Sequence, residues 1–163
     1  MSTVRPQDPI VLGDVSAMPL PSGRRWIANR LPTAAGQAAL CAVLADLLIY
    51  AIAAFAWQVP NGFPMLNAFS IVVAASLGAL LAGAGLAVLL HVTRRAIPLF
   101  QGAAAVITLF SLGGPLQAMA GAMPGVPAAS TATGITMIVM HVITGVILTG
   151  VLSIAGRRPR ETP

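Results

Sequence analysis

The sequence predicts an all-α fold, an integral membrane four-helix bundle with a disordered N-terminal tail, and three observations predict it. Apolar residues make up 57% of the 163 positions and charged ones only 8%, against about 45–50% and about 25% in soluble domains. Four apolar runs each exceed the roughly 20 residues that an α-helix needs to cross about 30 Å of hydrocarbon. The 9 basic residues are all arginine, and they flank these runs instead of entering them. The runs lack the period-two alternation of a membrane barrel.

Residues 1–30 carry Pro6, Pro9, Pro19 and Pro21 with Asp8 and Asp14 and little apolar periodicity. Such a stretch buries too little surface to offset the entropy of ordering it, so a flexible tail is expected. The tail ends in SGRRWIANR, where Arg24, Arg25 and Arg30 are positive anchors and Trp26 suits a membrane interface. Spans are expected over 34–57, 68–92, 97–117 and 132–154, within one membrane domain of residues 31–156. After the first span, QVPNGFP supplies turn chemistry in Pro60, Asn61-Gly62 and Pro64. Only TRRA separates the second and third spans, which predicts an antiparallel hairpin. Pro98 falls in the first turn of the third helix, where its missing N–H costs nothing. Before the fourth span, GAMPGVPAAST breaks the chain at Pro124, Gly125 and Pro127, and Ser130 or Thr131 is placed to cap the helix. Residues 157–163 form a short basic tail.

Arginine placement predicts orientation. With four spans, the N-terminal flank, the middle connection and the C-terminal flank share one side. They hold Arg24, Arg25, Arg30, Arg94, Arg95, Arg157, Arg158 and Arg160, with Arg5 further out on the N-terminal tail. The two other connections carry no charge. The positive-inside rule makes the arginine side cytoplasmic, so both termini are expected there. A competing reading takes the basic flank, the first apolar run and Ala54-Phe55-Ala56 as a signal peptide with its cleavage site. The run is longer than the roughly 7–15 residues of such a segment, and Asp46 interrupts it.

The order of RLPTAAGQAALCAVLADLLIYAIA, a Gly-rich second span ending at an arginine pair, SLGGPL at 111–116 and MHVITGVIL in the fourth span resembles a group of small uncharacterised four-span bacterial membrane proteins, a domain-of-unknown-function family. The resemblance covers residues 31–155 and leaves out the Pro-rich stretch before Arg24. It implies a four-helix membrane domain in a bacterial plasma (inner) membrane and implies no activity.

Within the spans, Asp46 stands out. A charged aspartate at a helix centre costs about 2.5–3.5 kcal/mol on insertion scales. It should therefore face protein, either locking helices together or handling a proton, ion or substrate. The fourth span carries Thr133, Met137, His141, Gly145, Thr149 and Ser153 at four-residue spacing, a stripe more polar than the face of Ile135, Ile138, Val142 and Val146. Ala42, Asp46, Tyr50 and Ala53 make the corresponding stripe of the first. Counted from the arginine ends, Asp46 lies about 18 Å deep and His141 about 20 Å at the helical rise. The expectation is an intramembrane polar pair of Asp46 and His141, supported by Tyr50, Thr133, Gly145 and Thr149. It requires the first and fourth helices to be neighbours. In the second span, Ala74-Gly78-Ala82 and Ala75-Ala79-Gly83-Ala87 form adjacent small-residue ladders, so Ala74, Gly78, Ala82 and Gly83 are expected to serve helix packing.

Other chemistries find little support in the residues. His91 and His141 differ in depth by roughly 15–20 Å, too far to share one metal, and no Cys or carboxylate cluster has ligand spacing, so no metal and no cofactor is expected. The single Cys41 reads as a small buried hydrophobe. No basic stripe with aromatics suggests nucleic acid. No catalytic motif is found, and Ser111 near Gly113-Gly114 reads as a loosened helix end before Pro115, so an enzyme is not expected. The favoured function is a structural or interaction protein whose partners are the lipid bilayer and a second copy or another membrane protein. The alternative is a small transporter or transport subunit using Asp46 and His141 at the membrane midplane. The transporter reading needs a homo-oligomer, since four spans make a pore only marginally, and oligomeric state together with a water-filled cavity reaching Asp46 would separate the two.

Overall fold

The computed structural model describes residues 22–59 and 62–157, with side chains from Arg30 onward. The helices are α1 (Ser22–Trp57), α2 (Ala68–Val92), α3 (Ala96–Ser111), α4 (Gly113–Met119) and α5 (Thr131–Gly156), and no strand occurs among the described residues. Four segments are long and apolar enough to cross a membrane: α1 from Arg30, α2, α3 continued by α4, and α5. The expected tail of residues 1–30 is helical from Ser22, because α1 runs on through Pro32 at the cost of one i→i−4 bond. Residues 1–21 lie outside the described residues. So do Pro60, Asn61, Arg158 and Arg160, and the side chains of Arg24 and Arg25.

Local chemistry sets the helix ends. Asn67 caps α2, its Oδ1 accepting from Ser70 N–H at 2.9 Å while its Nδ2 donates to Pro64 O at 3.0 Å. Ser130 caps α5 by accepting from Thr133 N–H at 3.1 Å. The short α2–α3 connection is held by Arg95 N–H donating to Thr93 Oγ1 at 3.1 Å. The third span, expected as one helix over 97–117, is broken at Leu112. Pro115 has no N–H for the Ser111 carbonyl and its ring crowds that oxygen, so α3 stops at Ser111 and the chain restarts as α4.

Packing follows from the solvent. Lipid tails are as apolar as leucine, so helices gain little by hiding large side chains and associate by close approach of small ones. On α1, Ala34, Ala38, Ala42 and Ala53 are buried, whereas Leu40, Leu44, Leu48, Ile52 and Phe55 point outward. α1 lies chiefly against α5 and α2; α3 touches α2 and α5 but not α1. The helices enclose one cluster around Ala38, Ala79, Leu86 and Leu152 and a second around Ala53, Phe63, Ile71 and Met140. A Cβ added at Gly83 would lie 3.0 Å from Ala35 Cβ, and one at Gly156 would lie 2.7 Å from Ile97 Cδ1 and 3.3 Å from Leu86 Cδ2. These contacts gather the start of α1, the end of α2, the start of α3 and the end of α5 at one end of the bundle. Arg30, Arg94, Arg95 and Arg157 are exposed at that end.

A Cβ at Gly145 of α5 would run into the Thr108 side chain of α3. Gly145→Leu is therefore expected to lower the detergent melting temperature, an overpacking cost of about 1–3 kcal/mol. Its neighbour Val146 is 65% exposed on the lipid face, so Val146→Leu should leave the melt unchanged. Equal melts for the two variants would contradict this packing.

Candidate functional site

Asp46 lies between the two apolar clusters, at mid-length of the membrane-crossing part of α1, with 6% of its surface exposed. Thr144 of α5 donates its hydroxyl to Asp46 Oδ2 at 2.6 Å. This bond joins α1 and α5, the most closely associated pair of helices. Asp46 Oδ1 has no hydrogen-bond partner, and it alone among the buried side-chain polar atoms of the described residues lacks one. His141 is three residues from Thr144 on the same face of α5 and lines the same cavity as Asp46. His141 Nδ1 meets the Met137 carbonyl at 2.7 Å. A carbonyl only accepts, so Nδ1 carries the proton and the ring's Nε2 is left for another partner.

Asp46, Thr144 and His141 border a crevice of about 590 Å³ between α2, α3 and α5. Its wall is otherwise mainly apolar, with hydroxyls at Ser70, Thr108, Ser111 and Thr149. Ala74, Gly78 and Ala82 of α2 line it, as do Gly145 and Thr149 of α5. Ala74 and Leu81 on α2 and Ala103 and Ile107 on α3 line the crevice and are also exposed, which puts its mouth between α2 and α3, facing the lipid belt. The α2–α3 hairpin closes the arginine end, where Leu89 and Phe100 line the wall. There Gln101 Nε2 of α3 donates to Ser153 Oγ of α5 at 3.3 Å.

The structure thus brings Asp46 and His141 to one cavity, with the direct hydrogen bond to Asp46 coming from Thr144, which the four-residue stripe had passed over. Thr144 stands three residues from His141, and residues three and four apart share a helix face, so that spacing was the available signal. Tyr50 is half-buried against the second apolar cluster, away from the crevice. Thr133 is buried at the far end of α5, its Oγ1 2.9 Å from Ser130 Oγ. The α2 ladders largely divide: Ala75, Ala79 and Gly83 are buried, Gly83 against α1, while Ala74, Gly78 and Ala82 turn toward the crevice, which Ala75 also borders. One residue of offset rotates a ladder by about 100° on a helix of 3.6 residues per turn, enough to change which face it serves. Cys41, expected to be buried, is exposed on the outer side of α1. His91 is exposed and bonds only its own helix, Nδ1 to Ala87 O at 2.7 Å. Ser111 Oγ donates to Thr108 O at 2.7 Å, which commits its proton to the backbone.

Four membrane-crossing segments around a buried polar centre make this a multi-pass membrane protein. A family model matches residues 27–158, and the chain belongs to that family, described as a family of unknown function (DUF6069). No curated protein and no solved structure matches the chain.

The Thr144–Asp46 bond should be measurable as a coupling between α1 and α5. Thr144→Val is expected to cost about 1 kcal/mol in the native background, as for hydrogen bonds between membrane helices. In an Asp46→Ala background the same change should cost close to nothing. Equal costs in both backgrounds, read from detergent unfolding curves, would show that the bond carries no stability.

Proposed function

We propose that this protein is a small transporter or transport subunit that receives a compact, mainly apolar molecule from the bilayer into the crevice between α2, α3 and α5. The observation that carries the reading is the crevice itself, a cavity of about 590 Å³ that reaches from the lipid belt to Asp46. That volume falls within the roughly 300–1,000 Å³ typical of small-molecule sites, and a mainly apolar wall carrying a few polar groups is likewise typical of them. A purely interaction role draws less support, because the small-residue ladders of α2 that would seat a partner are engaged inside the bundle or turned to the crevice. No catalytic step is assigned to the site. The positive-inside rule supports an orientation with the arginine end and both termini in the cytoplasm of a bacterial cell, the helices crossing its inner membrane.

Two measurements test this. A bilayer-partitioning aliphatic alcohol carrying a photoreactive diazirine should label crevice residues such as Ala104 and Met137 saturably, and Gly78→Phe, which puts a ring into the crevice, should abolish that labelling. Uniform, unsaturable labelling of the whole lipid belt would remove the reading. For orientation, a reporter active only outside the cytoplasm should be silent when fused after Arg158 and active after Gly62; the reverse pattern would invert the topology.

A further inference from the structure

We infer that the ligand of the crevice is a lipophilic primary amine, bound as the ammonium with its N–H groups at Asp46, His141 and Thr144. The inference rests on the binding role proposed above and specifies its chemistry. Three groups at the polar centre present acceptors. Asp46 Oδ1 is buried and has no partner among the described residues. Thr144 Oγ1 spends its only proton on Asp46 Oδ2, which leaves its lone pairs. His141 spends its Nδ1 proton on the Met137 carbonyl, so neutral imidazole offers Nε2 as an acceptor. All three residues line the same crevice. A primary ammonium brings three N–H donors on one compact head, together with the charge that an ionised Asp46 would otherwise hold uncompensated inside the membrane.

Other ligand classes fit these groups less well. A hard metal cation such as calcium asks for about six to eight oxygen ligands, carboxylates prominent among them, whereas the crevice offers one carboxylate and scattered Ser and Thr hydroxyls in a mainly apolar wall. An anion would meet the carboxylate. A quaternary ammonium has no N–H to give and is held by aromatic cages, and Phe100, near the arginine end, is the crevice's one aromatic side chain other than the histidine ring. An alcohol supplies a single donor for three acceptors. The rest of the wall, with Met65, Met137 and Met140 among its apolar residues, suits an aliphatic body, since methionine adapts to irregular shapes.

The test uses the full chain in phosphatidylcholine nanodiscs and four diazirine-bearing decyl probes that differ only in the head group: primary amine, trimethylammonium, alcohol and carboxylate. Each is competed with unlabelled decylamine and its site read by peptide mapping. The amine is expected to label the crevice at concentrations about tenfold or more below the other three, the margin of a charge-assisted hydrogen bond. Asp46→Asn, checked for folding by its melting curve, should abolish that preference and leave alcohol labelling in place. The series on the native chain decides the matter if the variant does not fold. Crevice labelling by the alcohol or the trimethylammonium probe as strong as by the amine would overturn the amine assignment and leave the apolar site standing. Saturable crevice labelling by none of the four would overturn both.

Discussion

A carboxylate cannot face lipid, and the arrangement of this bundle depends on that constraint. Turning Asp46 inward fixes the rotation of α1 about its axis. Ala38 and Ala42, on the same side, then meet neighbouring helices, and Leu40, Leu44 and Leu48 meet the hydrocarbon. With alanines on the inner face, α2 approaches closely enough for Gly83 to meet Ala35, and α5 closely enough for Thr144 to bond Asp46. On α1, large residues outside and small ones inside reverse the habit of water-soluble bundles. The reason is that lipid does not penalise an exposed leucine, while van der Waals attraction rewards close approach.

The crevice follows from where that close approach stops. α1 lies closely against both α5 and α2, whereas α3 reaches α2 and α5 but not α1 and is buried chiefly at Ala96 and Phe100 near its start. Farther along, Gly145 leaves room for Thr108, and the Pro115 break at Leu112 turns the chain into α4, where Met119 lies over Gly134 of α5. α3 is thus held at its two ends and stands off α2 between them. The polar centre belongs to the tightly associated helices and the open wall to the loosely held one, so the crevice combines a fixed anchor with a side that has space around it.

Much of the fold was legible in the sequence because a membrane span is a local sum of hydropathy and its flanks are marked by charge. The second span was read at Ala68–Val92, where the helix lies, and the fourth was within two residues at either end. The cap of α5 was legible as Ser130 or Thr131, hydroxyls just ahead of a helical run, and Ser130 is the one that serves. The start of α1 was not: residues 1–30 show little apolar periodicity and read as a tail, yet the helix begins at Ser22 and continues through Pro32. At the site, Asp46 was conspicuous because lipid makes it costly. Thr144 was not, because threonine is unremarkable in a span and its importance comes only from what lies across from it. The crevice was invisible for a related reason: ladders on adjacent faces of α2 look alike in sequence, and which one meets a helix and which an opening is settled by the spacing of other helices.

The hydrogen bond between Thr144 and Asp46 joins residues 98 positions apart, in the first and last of the membrane helices. During synthesis at about 5–20 residues per second, Thr144 is made roughly 5–20 s after Asp46. For that interval the nascent chain has an aspartate in α1 and not yet the Thr144 hydroxyl that bonds it. The leucines and isoleucines of the same helix offset the insertion cost while the ribosome completes the rest. Assembly of this membrane protein therefore has a built-in waiting period, and the residue that ends it arrives with α5.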